Sequence, residues 1–209
     1  VGDSLGSVVY GMKSTKKVTM DMMINHGIGV KKGVSKSLLV VDMPYKTYKN
    51  KKTALKNAQK IIKYTKCDAV KLEGGKKIIN IIKFLVKKKI PVMGHLGLLP
   101  QKEKGRFRYK GKKISERKRI FDESKLLSKS GVFAIVLECV EASLSKKITK
   151  SIKIPTIGIG SSRYCDGQIL VTDDLIGIHQ SKFKFVKKYV NLSKVIENSV
   201  IKFKNEIYK

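Results

Sequence analysis

The chain alternates between short apolar runs and longer stretches in which apolar residues recur every three or four positions. The short runs are rich in β-branched residues and do not alternate strictly with polar ones, which is typical of parallel strands covered on both faces. We therefore predict six strands, at residues 37–42, 69–73, 91–96, 132–138, 155–159 and 168–171.

The stretches between these runs predict helices, because their apolar residues share one stripe and lysines fill the opposite side. The clearest stretches are residues 54–66, 76–89 and 115–130. Thr19 is placed to cap the N-terminus of an earlier helix, and Ser193 that of the last helix. Gly131 is placed to cap the C-terminus of the third stretch.

Repeated strand-then-helix units imply a parallel sheet, either a closed barrel or an open doubly wound sheet. No linker rich in Pro, Gly or Ser divides the chain, so we expect a single domain over residues 1–209. The units are too few for a complete barrel, which takes roughly 250 residues. Because Val1-Gly2 also resembles the end of a strand, we expect an N-terminal segment with the first strand and helix to be missing.

The charge is the most unusual feature of the composition. The chain has 46 basic and 16 acidic residues, a formal net charge of +30 that is typical of nucleic-acid binders. Only five of the basic residues are Arg, whose planar fork usually reads phosphates and bases, and the other 41 are Lys spread along the whole chain. We interpret the charge as a solvated lysine coat, without a nucleic-acid partner.

The cysteines indicate a reducing compartment. Cys67, Cys139 and Cys165 are odd in number and widely spaced, which argues against a disulfide framework and fits a cytoplasmic protein. They form no CxxC motif, so no structural zinc site is expected. No stretch approaches the roughly 20 uncharged apolar residues of a membrane span.

Ionisable side chains stand at the ends of the predicted strands. An ionised group inside an apolar strand is costly unless it is paired or lies at the strand's end beside a cleft. In a parallel barrel the carboxyl ends of the strands share one face, where catalytic groups gather. The side chains that this rule brings toward one site are Asp3, Asp42, Lys71, Glu73, His95 and Glu138.

This group of side chains predicts metal-assisted chemistry. Three carboxylates with few nitrogen or sulfur ligands suit Mg²⁺, and a 2-keto acid would complete its shell. The metal would then stabilise an enolate, formed when a further carboxylate removes a carbon-bound proton. Taken singly, each residue has a simpler explanation: a helix cap, a salt bridge, a surface lysine or a turn histidine. Composition and periodicity alone stop at a parallel α/β protein and favour a metal-dependent enzyme.

At these residues the sequence resembles the ketopantoate hydroxymethyltransferases of pantothenate biosynthesis. The matching strings occur in the family's order and cover nearly the whole chain. They include VGDSLG at 1–6, LLVVDMPY at 38–45, DAVKLEGG at 68–75, GHLGL at 94–98, VLECV at 136–140 and IGIGSS at 157–162. Their combination is highly specific.

The resemblance implies a (β/α)8 TIM-type barrel that transfers a one-carbon unit from 5,10-methylenetetrahydrofolate to α-ketoisovalerate, giving ketopantoate. It implies a Mg²⁺ ion held by Asp3, Asp42 and Glu73, with Glu73 acting through water. It also implies that Glu138 is the proton acceptor and that the subunits form a homo-oligomer, a decamer in known relatives. The implied substrate-binding residues are Asp3, Ser4, Asp42, Lys71 and His95.

Two other functions stay open at this point. A related Mg²⁺-dependent keto-acid lyase-type barrel would keep the site, but should carry a catalytic Cys in a flexible loop, whereas Cys139 directly follows Glu138. The non-enzyme alternative is a basic nucleic-acid-binding protein with a vestigial site. Its binding would weaken steeply as salt rises, whereas keto-acid binding would need Mg²⁺ and Asp42.

Overall fold

The structure is a computed structural model that describes residues 1–103, 108–179, 183 and 185–208. The chain divides into two compact units, residues 1–168 and 169–209. The single domain over 1–209 stays a prediction.

The first unit is built on a six-stranded sheet in which all neighbouring strands run parallel. The order of the strands in the sheet follows their order in the chain and nowhere reverses. An open doubly wound sheet reverses direction at a switch point, so this sheet is wound like the wall of a barrel. Its strands are β1 Val40–Asp42, β2 Ala69–Glu73, β3 Val92–Gly97, β4 Ala134–Glu138, β5 Thr156–Ile159 and β6 Gly167–Gln168.

All six predicted strands are confirmed in place, and β2 is confirmed to the residue. The predicted extents of the other five strands differ from the structure by one to three residues, most at the first and the sixth. The first strand starts at Val40 instead of residue 37, and the sixth ends at Gln168 instead of residue 171. The apolar residues that suggested the longer strands are not covered in the structure, since Leu38 is 71% and Ile169 48% exposed.

Strands β2 and β4 pack their side chains on both faces, as their unbroken apolar runs predicted. In β4 the four residues before Glu138 are all buried, and in β2 only Lys71 is not. A buried apolar cluster extends from this sheet to the covering helices. The buried polar residues are therefore exceptions, and several of them lie at the carboxyl ends of the strands.

The helices cover the sheet with an apolar stripe, and α3 shows how the sequence specifies this. Ala54, Ala58 and Ile61 are fully buried, whereas all the lysines of this helix are exposed. In the first unit the helices are α1 Leu5–Val8, α2 Met20–Gly33, α3 Lys51–Thr65, α4 Ile79–Lys87, α5 Ile114–Ser128 and α6 Ala142–Ser151. Short 3₁₀ turns cover Thr15–Lys17 and Lys76–Ile78.

Of the two helix caps predicted in this unit, one is confirmed and one is wrong. Thr19 is confirmed as the N-cap of α2, because its hydroxyl accepts a hydrogen bond from Met22 N at 3.2 Å. Gly131 is not the C-cap of α5; that residue is Lys129, and Gly131 adopts a φ of +88° two residues later. The positive φ explains why glycine stands there, but the turn it serves lies beyond the helix.

Glu141 caps α6, an unusual choice for this position. Its carboxylate accepts hydrogen bonds from the backbone N–H groups of Ser143 and Leu144, both at 3.0 Å, and from Arg117 at 2.7 Å. The hydroxyl and the N–H of Ser143, followed by Arg117, lower the pKa of Glu141 to about 2. The helix terminus therefore holds an ionised carboxylate, which its dipole favours.

The second unit contains α7 Thr172–Leu175 and α8 Leu192–Ile207. Asn191 caps α8, accepting from Lys194 N at 3.3 Å, so the prediction of Ser193 as the cap was wrong. The helix starts two residues earlier than predicted, because the amide oxygen of Asn191, and not the hydroxyl of Ser193, accepts a hydrogen bond from a free N–H group of the first turn. Within the described residues, no helix has the length and the apolar character needed to cross a membrane.

Candidate functional site

The first four strands bring ionisable side chains to one edge of the sheet, at their carboxyl ends. Asp3 reaches this edge from outside the strands, because its backbone N–H donates to Asp42 Oδ2 at 3.1 Å. The residues contributed by the strands are Asp42 in register with Lys71, Glu73 in register with His95, and Glu138 at the end of β4.

The central contact is an ion pair between Lys71 and Asp42. Lys71 Nζ lies 3.0 Å from Asp42 Oδ1, and the two side chains are only 14% and 6% exposed. Burial opposes the lysine charge, but the carboxylates of Asp42, Glu73 and Asp3 outweigh it and raise the pKa of Lys71 above its ordinary value. Lys71 is therefore an ammonium group that donates into the cluster.

The carboxylates of the cluster outnumber its one ammonium. Burial, followed by the charge of Asp42, raises the pKa of Asp3 to about 7. Burial also raises the pKa of Glu73; Lys71 opposes this shift and Asp3 adds to it. Desolvated carboxylates that face one another in this way favour a bound proton or a bound cation.

His95 connects this pair to Glu138 and is neutral. Burial and then the charge of Lys71 lower the pKa of His95. Its Nδ1 atom lies 3.2 Å from Lys71 Nζ, and a protonated lysine only donates hydrogen bonds, so Nδ1 accepts. The single ring proton is then on Nε2, which lies 3.2 Å from Glu138 Oε2.

The Nε2 atom of His95 is a buried polar atom without a hydrogen-bond partner among the described residues. The Nε2 atom and Glu138 Oε2 are 3.2 Å apart, but the two groups are not aligned as a hydrogen bond. The Glu138 side chain is 18% exposed, so it opens toward solvent while His95 does not. A buried unpaired donor beside a partly exposed carboxylate is a suitable place for a substrate oxygen.

Ser4 lies beside this cluster without joining it directly. It stands at the N-cap of α1, but its side chain makes no capping hydrogen bond. A Cβ atom added to Gly2 would lie 3.1 Å from Ser4 Oγ and 3.6 Å from Asp42 Oδ2. Glycine at position 2 therefore leaves the space between this hydroxyl and this carboxylate free.

The sequence interpretation missed a residue that joins the carboxylates, Gln101. It is 1% exposed, its side-chain Nε2 donates to Asp3 Oδ2 at 2.8 Å, and its backbone N–H donates to Glu73 Oε2 at 3.0 Å. Tyr48 donates its hydroxyl to the same side chain. Gln101 lies in the turn after β3, directly behind the GHLGLLP string. The sequence interpretation looked for charged residues at strand ends, and an uncharged residue in a turn did not meet that criterion.

The cluster fits a hard divalent cation in its donor chemistry. Its ligands are carboxylate oxygens with little exposure, and its charge is negative in excess, which a cation would balance. Over residues 1–103, 108–179, 183 and 185–208, however, no three His, Cys, Asp or Glu side chains are grouped closely enough to hold a metal ion. Asp3 and Asp42 are adjacent, and the set of Asp3, Asp42 and Glu73 as metal residues stays a prediction.

The six predicted strand-end residues thus form one connected cluster. The contacts run from Asp3 through Asp42, Lys71 and His95 to Glu138, and Gln101 links Asp3 to Glu73. A singly wound parallel sheet with such a cluster at its carboxyl edge defines an α/β protein with an acid–base site of the kind that enzymes use.

Comparison with known proteins gives the family. The sequence model of the ketopantoate hydroxymethyltransferases matches residues 1–209. The chain is 63% identical over 209 residues to a 3-methyl-2-oxobutanoate hydroxymethyltransferase of Pelagibacter ubique (strain HTCC1062), covering all of this chain and 81% of the relative. The protein therefore belongs to the ketopantoate hydroxymethyltransferase family.

Other relatives carry the same name. The enzyme of Anaplasma marginale (strain St. Maries) is 49% identical over 203 residues, which cover 96% of this chain and 73% of the relative. That of Rhizobium etli is 46% identical over 211 residues, which cover 99% and 77%. The family resemblance read from the sequence is thus confirmed.

Solved structures share the fold at low sequence identity. A 2,3-dimethylmalate lyase of the PEP mutase/isocitrate lyase superfamily matches with a TM-score of 0.57 and 10% identity, over 77% of this chain and 59% of the lyase. A putative lyase/mutase from Burkholderia cenocepacia J2315 matches with a TM-score of 0.55 and 10% identity, over 99% and 73%. At this identity the likeness shows the fold alone.

Proposed function

We propose that the protein is a 3-methyl-2-oxobutanoate hydroxymethyltransferase. It transfers a one-carbon unit from 5,10-methylenetetrahydrofolate to 3-methyl-2-oxobutanoate (α-ketoisovalerate) with the uptake of one water molecule, and the products are ketopantoate and tetrahydrofolate. The observation that carries the proposal is the contact chain from Asp3 to Glu138, because it joins a cation-binding end to a proton-accepting end. The names of the relatives at 63% and 49% identity give the reaction.

In this proposal the acidic end of the cluster holds Mg²⁺ and the keto acid. Asp3 and Asp42 would bind the ion directly and Glu73 through water, while Ser4, Lys71 and His95 would donate to the keto acid. Mg²⁺, when bound, supplies Lewis-acid polarisation of the keto-acid oxygens. Lys71 contributes a fixed positive charge, since its pKa is raised by the carboxylates around it.

The other end of the cluster moves the proton. Glu138 accepts the proton from C3 of the keto acid, and the electron pair of that C–H bond passes into the enolate. Glu138 Oε2 lies 3.2 Å from His95 Nε2, so the proton acceptor stands beside a donor to the keto acid. The enolate carbon then bonds to the one-carbon unit of the folate, and both bonds of that carbon to the folate nitrogens break. One water molecule supplies the hydroxyl oxygen of ketopantoate, its two protons pass to the two folate nitrogens, and Glu138 returns the C3 proton to the new hydroxyl group.

The proposal also extends the fold. The six parallel strands are part of the wall of a (β/α)8 barrel. The subunits form a homo-oligomer, the decamer that the resemblance implies, in the cytoplasm. The low-identity likeness to lyase-superfamily structures, with TM-scores of 0.57 and 0.55, supports the barrel wall.

The experiment that tests the function is conversion of α-ketoisovalerate and 5,10-methylenetetrahydrofolate, followed by mass spectrometry. Ketopantoate should form with Mg²⁺, not with EDTA, and Asp42→Asn should lose most of the activity. Cleavage of the keto acid without folate would indicate the lyase alternative. Tight, salt-sensitive nucleic-acid binding without any conversion would indicate the vestigial-site alternative.

A further inference from the structure

Gln101 occupies a special position in the cluster, because it contacts two carboxylates through two different groups. Its side-chain amide donates to Asp3 Oδ2 at 2.8 Å, and its backbone N–H donates to Glu73 Oε2 at 3.0 Å. Asp3 precedes the strands and Glu73 ends β2, so no strand register links these two carboxylates. Gln101 is the residue that joins them.

The orientation of the Gln101 amide is fixed by two neighbours. The Tyr48 hydroxyl donates to Oε1, and the Met43 carbonyl accepts from Nε2 at 3.0 Å. If the amide were rotated by 180°, its oxygen would face the Met43 carbonyl and the Asp3 carboxylate, both acceptors. Only the orientation with Nε2 toward Asp3 satisfies all partners.

The segment that carries Gln101 is anchored on both sides. Leu98 N donates to the Glu138 carbonyl at 2.8 Å, and Lys102 N donates to the Leu99 carbonyl at 2.8 Å in a turn. Lys102 Nζ also donates to the Glu73 carbonyl at 3.0 Å. The turn after β3 therefore presents Gln101 from a rigid base.

We propose that Gln101, with its amide held by Tyr48, is a positioning residue that fixes the Asp3 carboxylate and the Glu73 carboxylate for the divalent cation. Its hydrogen bond engages Asp3 Oδ2, so the carboxylate would bind the cation through its other oxygen. This inference rests on the proposed function, since it assigns these carboxylates to that cation. Gln101 acts through Asp3 and Glu73 and does not itself contact the reacting atoms.

The test is Mg²⁺ binding measured by isothermal titration calorimetry on the purified protein, without substrate. Gln101→Met keeps the size of the side chain and the backbone N–H to Glu73 but removes the amide from Asp3. Loss of such a supporting hydrogen bond typically weakens metal binding by about 10–100-fold, so the Kd for Mg²⁺ should rise by at least about tenfold. Tyr48→Phe only releases the amide, and about fivefold is expected, the value of one neutral hydrogen bond.

Two further variants separate positioning from general stability. Thr65→Val removes a buried hydroxyl that donates to the Ile61 carbonyl at 2.8 Å, away from the cluster. It should lower the unfolding temperature in EDTA but leave the Kd for Mg²⁺ unchanged. The double variant Tyr48→Phe/Gln101→Met should bind Mg²⁺ like Gln101→Met alone, because Tyr48 acts through the amide that is already gone.

The outcomes distinguish this inference from the proposed function. If the unmodified protein does not bind Mg²⁺, the proposed metal site fails. If it binds Mg²⁺ and both Gln101→Met and Tyr48→Phe bind with unchanged Kd, the positioning role is wrong and the metal site stands. Should Gln101→Met fail to fold, Tyr48→Phe decides: an unchanged Kd overturns the inference, and a several-fold rise supports it.

Discussion

Gly97→Ala, which adds a single methyl group beside Glu138, should lower the free energy of unfolding strongly. Gly97 ends β3 opposite Glu138 and adopts a φ of +96°. A Cβ atom at this position would lie 2.2 Å from the Glu138 carbonyl oxygen and 2.5 Å from Val140 Cγ2. The carbonyl cannot withdraw freely, because it accepts a hydrogen bond from Leu98 N at 2.8 Å.

The cost of Gly97→Ala has two parts. An L-residue with positive φ costs roughly 1–2 kcal/mol. The contact with a backbone oxygen forces a shift of the main chain, and such overpacking typically costs about 1–3 kcal/mol. We therefore expect the free energy of unfolding to fall by about 2–5 kcal/mol, a large part of the roughly 5–15 kcal/mol that a domain has. The shift would also displace Glu138.

Urea unfolding followed by circular dichroism measures this difference, and Gly29→Ala is the matched control. Gly29 lies in α2, and no atom would be within 4 Å of an added Cβ. The same substitution should there stabilise the protein by about 0.5–1 kcal/mol, because alanine favours a helix. If Gly97→Ala cost less than about 1 kcal/mol, or if both variants changed stability alike, the close approach of β3 to Glu138 would be wrong.

Three further predictions concern other parts of the site and of the fold. Lys71→Met leaves the buried carboxylate of Asp42 unpaired and should lower the free energy of unfolding in EDTA by about 3–5 kcal/mol; a loss below about 1 kcal/mol would contradict the buried ion pair. Gly2→Val would place methyl groups between Ser4 and Asp42 and should raise the KM for the keto acid on the order of tenfold, whereas an unchanged KM would move the substrate elsewhere. The lowered pKa of Glu141 means that its contribution to stability is present above about pH 4.5 and is lost as the pH falls toward about 2. Unfolding of Glu141→Gln should therefore depend less on pH in this range than unfolding of the unmodified protein, and parallel pH profiles would exclude the contribution.

The sheet was predictable because strands such as β2 and β4 are buried on both faces, so that their apolar runs are unbroken and end where the chain reaches an edge. The residues that terminate β1, β2 and β4 were predictable for the same reason, since a charge in such a run is costly anywhere but at the end. The extents of the first and the last strand were not, because apolar residues such as Leu38 and Ile169 lie on the surface and a sequence does not show which run is covered.

The charged residues of the site and Ser4 were predicted from the sequence, whereas Gln101 and Tyr48 were not. The repeated units predict that the carboxyl ends of the strands share one edge, and the structure adds the register that places Asp42 beside Lys71 and Glu73 beside His95. Gln101 depends instead on a turn that folds back over the strand ends, and Tyr48 depends on Gln101. Such contacts are set by loop geometry between residues far apart in the chain, and neither pattern nor charge reports on them.

The central claim is that the cluster removes the proton from C3 of a keto acid with the help of a divalent cation. Deuterium exchange at C3 of α-ketoisovalerate, followed by NMR in D₂O without folate, isolates this step. We expect exchange with Mg²⁺, none with EDTA, and none with Glu138→Gln in the presence of Mg²⁺. Exchange that persists in Glu138→Gln would remove Glu138 as the base, and a folded protein that binds Mg²⁺ without any exchange would contradict the mechanism.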